Sequence, residues 1–482
     1  MDMARLKPAG TTGWRGVAGI DLNIVILLVF TLIVPFALGT STRIYNDGDV
    51  SWHVAAGQWM IVHGRVPFTD PFSFSAAGKP WVAHEWLSEV VMGAAYSLAG
   101  FAGLAALVVT ALSAMMLILW LELSRWMRPL ITGAVLMAVA VTIIPFLLAR
   151  PMVLTWPFLA FWTVQMMRAR EGAQAPPLWL AAVMLVWANC HASFSLGLLL
   201  IGPFALEALL EEPDKKRVIV GWGGFGLLCV AACLVNPNTY TTLLMPIGAF
   251  TDKNITLIQE FKPTDMSFTP GFESALLLLL ALCLGRGAIM KPFRLLALLG
   301  LLHLAFQHMR HQVLFMIVAA LLIAPSLPRE VEADQTSSER SAGARYLRIA
   351  AAAFVLLIGF TLARPVSPPD SIVNPTRAIA AVPASLRDQP VLNSYSFGGP
   401  LILHGIKPFI DGRTDVYGSS FVLDYHSILD GDPRALEEAQ RRYNFRWALI
   451  AMDDQRMLRL ISRTPGWHAI RADKNAVTLV HD

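Results

Sequence analysis

Residues 22–49 read LNIVILLVFTLIVPFALGTSTRIYNDGD, an apolar run that ends in two aspartates. A helix needs about 20 mostly apolar residues to cross a bilayer, and Leu22–Thr40 comes close to that length. Asp47 and Asp49 follow as soon as the apolar run has ended. The stretch therefore predicts a first membrane span whose far end carries carboxylates.

Composition extends this prediction to most of the chain. The 482 residues are 55% hydrophobic and 15% charged, with a mean hydropathy of +0.54, which is typical of a polytopic membrane protein. A net charge of +4, with no basic patch between aromatic residues, argues against nucleic acid as a partner. The cysteines lie in or beside apolar runs, which favours buried small side chains over a disulfide or zinc framework. They are Cys190, Cys229, Cys233 and Cys283.

The apolar runs predict about eleven transmembrane helices, and we expect Trp86–Leu98 to lie in the membrane interface because it is short and carries Glu89. Lys and Arg recur after every second span, so the positive-inside rule predicts a cytoplasmic N-terminus and a periplasmic C-terminal domain in a bacterial inner membrane. The predicted domains are residues 1–363, with a first periplasmic loop at 41–102, and 364–482. The spans are Leu22–Thr40, Gly103–Leu123, Leu130–Ala149, Val153–Met167, Leu178–Asn189, Ser195–Leu210, Val218–Val235, Ser274–Leu284, Leu295–Phe306, Val313–Pro325 and Tyr346–Ala363.

Polar residues collect at the predicted outer ends of the spans. Ionisable groups at bilayer depth cost about 2.5–3.5 kcal/mol each on insertion scales, and they persist where they pair or line a cavity. Their recurrence on one side predicts a single polar site roofed by loops. The candidate catalytic residues are Asp49 and Asp47, and the candidate substrate-binding residues are His53, Lys79, His84, Glu85, Arg150, His191, Glu260, His308, Arg310 and His311.

Asp49 has more than one interpretation. It can act as the N-cap of a helix that ends before Gly64, with the glycine at C′. It can also act in chemistry, since His53 lies one helical turn further on. A metal site built on this D-x-D…H spacing is a weaker possibility. No cofactor is certain, and a divalent cation such as Mg or Mn remains possible.

Two short segments favour phosphate binding. FQHMRHQ, Phe306–Gln312, places His308, Arg310 and His311 between two spans, which is more than a snorkelling anchor requires. His84 and Glu85, together with Lys79, suit an anionic headgroup, although Glu85 could simply complement a helix dipole. The sequence has no P-loop, dinucleotide-binding, zincin or nucleophile-elbow motif, which weakens the case for a nucleotide-driven pump or an ordinary hydrolase.

Several motifs together resemble a known family. The first loop reads D-x-D-x-x-W-H and continues to H-E-W-L, and the C-terminal part contains F-I-D-G-R-x-D-x-Y at Phe409–Tyr417. With Trp187–His191, Asn236-Pro237, Glu260–Pro263 and Arg310-His311, these segments are similar to a group of bacterial polytopic membrane proteins. More distantly, they resemble the GT-C membrane glycosyltransferases.

That resemblance implies a sugar donor linked to polyprenyl phosphate, a glycan, lipid or protein acceptor, and contact with membrane lipids. It implies Asp49 as the first candidate for the base or metal ligand and Asp47 as the second. GT-C enzymes often carry another acid after span three, where this chain has Arg150 instead. The alternatives are a non-catalytic lipid-linked glycan transporter or flippase, which should show broken helices in matching halves, and an envelope assembly scaffold.

The C-terminal tail predicts a small α/β fold. PVLNSY and WALIAM are typical of strands, and PRALEEAQRRYNF is typical of a helix. Asp411, Arg413 and Asp415 follow an apolar strand. They indicate either an internal Arg–Asp pair or an acceptor-binding surface.

Overall fold

The apolar segments fold as helices in the computed structural model, which describes residues 21–251, 262–329 and 337–482. The helices up to Ala363 are α1 Leu22–Gly39, α2 Asp49–His63, α3 Trp86–Leu123, α4 Pro129–Ile143, α5 Pro151–Glu171, α6 Leu180–Cys190, α7 Phe194–Glu211, α8 Lys215–Cys233, α9 Tyr240–Thr251, α10 Pro270–Gly285, α11 Pro292–Gln307, α12 His311–Ile323 and α13 Ser337–Ala363. Most of them share one buried apolar core.

Six helices in the described part of the chain are long and apolar enough to cross a membrane, which marks a multi-pass membrane protein. The other predicted spans fall on α5 or on shorter apolar helices, so the number eleven stays a prediction. The six are Leu22–Gly39, Trp86–Leu123, Pro129–Phe146, Phe194–Glu211, Lys215–Cys233 and Arg345–Ala363.

Helix α3 changes direction in its first half. Ala99 and Gly100 have non-helical backbone angles, and Gly100 has a φ of 57°, which glycine adopts without strain. Beyond this kink, a Cβ on Gly103 would lie 2.0 Å from the carbonyl oxygen of Ala95. The segment predicted as interfacial, Trp86–Leu98, is therefore set off from the rest of α3 by a break in the backbone.

The C-terminal part forms a four-stranded sheet of order β1-β2-β4-β3, in which β1 and β2 are parallel and the other pairs are antiparallel. The strands are β1 Val391–Asn393, β2 Trp447–Ala451, β3 Trp467–Ala472 and β4 Ala476–His481. Its helices are α14 Thr376–Ala380, α15 Ala384–Arg387, α16 Gly398–Leu403, α17 Thr414–Tyr417, α18 Ser419–Leu429, α19 Pro433–Tyr443 and α20 Gln455–Arg463. The predicted strands and helix are confirmed as β1, β2 and α19.

The first polar loop shares a hydrophobic core with this C-terminal domain. Trp52 and Met60 of α2 and Trp81 of the loop belong to the same buried cluster as Phe409 and Ile410. Burial of this apolar surface holds the domain against the end of the bundle where α2 lies. The boundary after residue 363 stays a prediction, and residues of the first loop belong to the core of the C-terminal part.

Candidate functional site

Helices α2 and α3 cross where each has a glycine. A Cβ on Gly57 would lie 1.8 Å from the carbonyl oxygen of Glu89, and one on Gly93 would lie 2.6 Å from the carbonyl carbon of Gly57. The two backbones are therefore in contact, which only residues without a Cβ allow. His53 lies one turn before Gly57, and Glu89 lies one turn before Gly93, so the crossing brings these two side chains together.

Carboxylates and imidazoles meet at this crossing. His53 Nδ1 lies 3.1 Å from Glu89 Oε1, and its Nε2 lies 3.8 Å from Glu85 Oε2. Glu85 Oε1 lies 3.4 Å from His191 Nε2 and 3.8 Å from His84 Nε2. The ligand atoms of His53, Glu85 and Glu89 all lie within 4.8 Å of one another, so these three residues could hold a metal ion. We call these five residues the histidine–acid cluster.

Burial controls the charge of this cluster. It lowers the pKa of His53 well below its usual range, and Arg150 and His84 lower it further. It lowers the pKa of His191 in the same way, with a contribution from Arg310. Burial also raises the pKa of Glu85, while His84 and Arg150 oppose that rise. His53 and His191 therefore act as neutral hydrogen-bonding groups near neutral pH.

Arg150 lies against both candidate catalytic aspartates. Its Nη2 contacts Asp47 and lies 2.8 Å from Asp49 Oδ2. The backbone N–H of Ala149 donates to the carbonyl oxygen of Ile44 at 2.8 Å, which fixes the two segments side by side. A guanidinium thus pairs with the carboxylates where GT-C enzymes often carry another acid.

The helix-cap interpretation of Asp49 is wrong. Asp49 is the first residue of α2, and its own backbone N–H donates to Asp47 Oδ1 at 2.9 Å. Asp47 is therefore the residue whose side chain satisfies the helix start, as aspartates do in Asx turns. Gly64 ends the helix with a φ of 62°, so its predicted role is confirmed.

The C-terminal domain covers the aspartates. A Cβ on Gly412 would lie 1.8 Å from Asp49 Oδ1, and one on Gly399 would lie 2.0 Å from the carbonyl oxygen of Gly48. The Tyr395 hydroxyl donates to the Gly412 carbonyl oxygen at 3.4 Å. Burial raises the pKa of Tyr395 well above its usual range, and Asp49 adds to the rise. The glycine of F-I-D-G-R is thus the point where the domain touches the candidate catalytic residue.

The F-I-D-G-R segment also carries a buried ion network. Arg413 donates from Nε to Asp411 Oδ1 at 2.9 Å and from Nη2 to Asp411 Oδ2 at 2.6 Å, which confirms the internal Arg–Asp pair. Its Nη1 donates to Asp70 Oδ1 of the first loop at 2.6 Å. Asp415 is exposed, yet enough protein surrounds its carboxyl for desolvation to raise its pKa, which His84 and Arg413 oppose.

The remaining predicted site residues do not belong to the histidine–acid cluster. The charge of Arg310 reaches Glu85 and His191 and lowers the pKa of both groups, so Arg310 lies on the same side of the bundle. The rings of His308 and His311 are 5.6 Å apart beside it. Lys79 is exposed, with its Nζ 5.7 Å from the centre of the Phe421 ring. Glu260 lies outside the described residues.

Sequence reasoning omitted Glu89, Tyr395 and Gly412 from the site. Glu89 follows Glu85 by four residues, and that spacing places two carboxylates on one face of a helix, which was a usable signal. Tyr395 and Gly412 reach the site only through the docking of the C-terminal domain, so no local pattern marks them.

Comparisons with known proteins show the fold. No family model matches the chain, and no curated protein matches it. The apo oligosaccharyltransferase of Archaeoglobus fulgidus is similar over 90% of this chain and 69% of its own, with a TM-score of 0.56 and 11% identity. The same enzyme, AglB, in complex with an inhibitory peptide and a dolichol-phosphate has a TM-score of 0.54 and 11% identity, over 90% of this chain and 69% of its own. Its form tethered to an acceptor peptide with the NVT sequon has a TM-score of 0.52 and 11% identity, over 96% of this chain and 73% of its own. The chain therefore has a fold of the GT-C type.

Proposed function

We propose that the protein is a GT-C-type glycosyltransferase that moves a sugar from a polyprenyl-phosphate donor to a glycan, lipid or protein acceptor. The observation that carries this proposal is the convergence of Asp49, Glu85, Arg150 and Arg310, from four separate segments, at one end of an apolar bundle. The fold agrees with it, because the similar archaeal enzyme is an oligosaccharyltransferase that was crystallised with a dolichol-phosphate and with an acceptor peptide.

The proposed chemistry divides between two groups. As the acceptor oxygen forms its bond to the anomeric carbon, the Asp49 carboxylate takes the hydroxyl proton. The bond between that carbon and the phosphate oxygen breaks, and the lipid phosphate leaves with its electron pair. Arg310 stabilises the growing negative charge on that phosphate, and Arg150 holds Asp49 in position through the 2.8 Å contact.

An apolar groove beside the histidine–acid cluster suits the lipid tail of the donor. It has a volume of about 520 Å³, and Trp86, which lines it, follows Glu85 directly. The indole Nε1 of Trp86 donates to Asn189 Oδ1 at 2.7 Å, which fixes one wall. An isoprenoid chain in this groove would carry its phosphate toward Glu85 and Arg310. The groove is lined by Trp86, Leu87, Leu185, Asn189, Leu234, Val235, Asn236 and Pro237.

We place this site on the non-cytoplasmic side, in the bacterial inner membrane. The distribution of Lys and Arg supports that orientation, and the first loop packs with the C-terminal domain at the same end. Topology reporters fused after Pro365 and after Arg128 are expected to report opposite sides, with the first one outside. Two cytoplasmic signals would overturn the orientation.

The function is tested in a deletion strain by mass spectrometry of lipid-linked sugars and surface glycans. A transferase predicts that one donor accumulates and that its sugar disappears from an acceptor, and that wild-type protein but not Asp49→Asn restores transfer. Purified protein mixed with that donor and acceptor in detergent should make the product. A transporter or scaffold predicts no transfer in detergent, where no membrane separates the reactants.

A further inference from the structure

We propose that His53, Glu85 and Glu89 bind one divalent first-row transition-metal ion, with one ring nitrogen of His53 and one oxygen from each glutamate as ligands. The ligand atoms already lie within 4.8 Å of one another. This set is distinct from the D-x-D…H set that the sequence suggested, because Arg150 engages both Asp47 and Asp49.

The orientation of His53 leaves its Nε2 facing an acid. His53 Nδ1 lies 3.1 Å from Glu89 Oε1, and its Nε2 lies 3.8 Å from Glu85 Oε2. That separation is too long for a hydrogen bond. Two atoms bound to the same ion at about 2.1 Å each are about 3–4 Å apart, so the spacing fits two ligands of one metal.

Glu89 supplies a second, independent observation. It is 1% exposed, and its Oε2 is buried without a hydrogen-bond partner among the described residues. A buried carboxylate oxygen without a partner is costly. An ion bound beside His53 would give this oxygen a partner.

His191 positions Glu85 instead of binding the metal. The backbone N–H of Ser193 donates to His191 Nδ1 at 3.0 Å, so the proton of the neutral ring is on Nε2. That Nε2 lies 3.4 Å from Glu85 Oε1. A neighbouring group of this kind orients a ligating carboxylate, as is common around metal centres.

Charge and ligand type select the kind of ion. A metal ion displaces the protons of the carboxyl groups that bind it, and two glutamate carboxylates then balance a divalent cation. An imidazole ligand favours Zn²⁺ or Mn²⁺ over Mg²⁺, which prefers oxygen ligands and retains its waters. Three protein ligands leave coordination positions open. If the proposed function is right, a phosphate oxygen of the donor would fill one of them, which would reconcile an anionic substrate with a site rich in carboxylates.

The test measures metal binding without donor or acceptor, so its result is independent of transfer activity. Chelator-treated full-length protein in detergent is titrated with Zn²⁺, Mn²⁺ and Mg²⁺ by calorimetry. We expect one site that binds Zn²⁺ or Mn²⁺ more tightly than Mg²⁺. His53→Ala and Glu89→Gln should each weaken it at least 100-fold. The matched control is His63→Ala, because His63 is an exposed histidine of the same helix.

X-ray absorption of the metal-loaded wild-type protein gives a second readout if the variants fail to fold. One imidazole with two or more oxygen ligands is expected. Wild-type protein that binds none of the three ions more tightly than millimolar would overturn the proposal. So would full affinity in His53→Ala, or an absorption spectrum without an imidazole contribution.

Discussion

The two ends of the helix bundle bury charge in different ways. At one end, Glu207 is 2% exposed and accepts two hydrogen bonds from Arg294, at 2.7 and 2.8 Å. Three acids and three bases alternate there, so each charge has a partner of opposite sign. At the other end, the histidine–acid cluster has two glutamates among histidines that burial keeps neutral. We call the first group the arginine–acid cluster; it consists of Arg170, Glu207, Glu211, Glu212, Lys291 and Arg294.

This difference separates a structural network from a site. A buried ion pair complete in itself has no use for a ligand, and breaking it by removing one partner is costly. A cluster with surplus carboxylates is less stable alone and gains from any cation that completes it. The two ends of one bundle can therefore be compared by substituting the same residue type at each.

Asp49→Asn has the largest expected effect. Asn keeps the size of the side chain but cannot accept a proton near neutral pH, so transfer should fall about 10²- to 10⁴-fold, the usual contribution of a general base. The assay is transfer from purified lipid-linked donor, normalised to folded protein. Asp47→Asn is the matched control, because Asn also accepts the N–H bond at a helix start. Equal losses in both variants would point to the Arg150 contact as the shared cause, and near-normal transfer in Asp49→Asn would remove Asp49 as the base.

Glu207→Gln should cost about 3–5 kcal/mol of unfolding free energy, because it leaves the buried Arg294 guanidinium without its carboxylate. Denaturant unfolding in detergent measures this cost. Glu89→Gln in metal-free protein should cost less, since it leaves no buried guanidinium without its carboxylate. Glu211→Gln, at a half-exposed position, is a matched control with an expected cost of about 0–1 kcal/mol. Comparable costs for Glu207→Gln and Glu89→Gln would contradict the comparison.

Sequence reasoning found what depends on neighbouring residues. Hydropathy along the chain predicted spans at Ser195–Leu210 and Tyr346–Ala363, which lie on the apolar helices Phe194–Glu211 and Arg345–Ala363, because an apolar run needs no distant partner to be recognised. Span ends also predicted that His191 and Arg310 would lie on one side, which the electrostatic influence of Arg310 on His191 supports.

Long-range pairing was not readable from the sequence. Asp70 and Arg413 are 343 residues apart and meet only because the C-terminal domain docks on the first loop. Lys79 of the first loop likewise packs on Phe421 of that domain, a contact that no local pattern marks. Whether the shorter apolar helices cross the membrane depends on packing and lipid, which hydropathy alone does not fix.

Gly57→Ala tests the helix crossing that builds the histidine–acid cluster. The added Cβ would lie 1.8 Å from the Glu89 carbonyl oxygen, so α2 and α3 must separate. We expect a loss of about 1–3 kcal/mol in unfolding free energy, typical of overpacking, together with weaker Zn²⁺ or Mn²⁺ binding. Gly202→Ala, at a helix position with open space around it, is the control. A Gly57→Ala protein that keeps wild-type stability and metal affinity would show that the crossing does not set the site.

Arg310→Lys has the smallest expected effect and separates charge from shape. Lysine keeps the positive charge whose influence reaches Glu85 and His191. It loses the planar fork that donates two parallel hydrogen bonds to phosphate oxygens. Donor affinity should therefore fall about tenfold, which corresponds to about 1.4 kcal/mol, while Arg310→Ala should weaken it further. Both affinities are measured by equilibrium binding of the lipid-linked donor. The control is Arg286→Lys, because Arg286 follows α10 and lies at the opposite end of α11 from Arg310. If Arg310→Ala binds donor as well as the wild type, the phosphate contact must be assigned elsewhere, and the proposed metal ion becomes the first group to test.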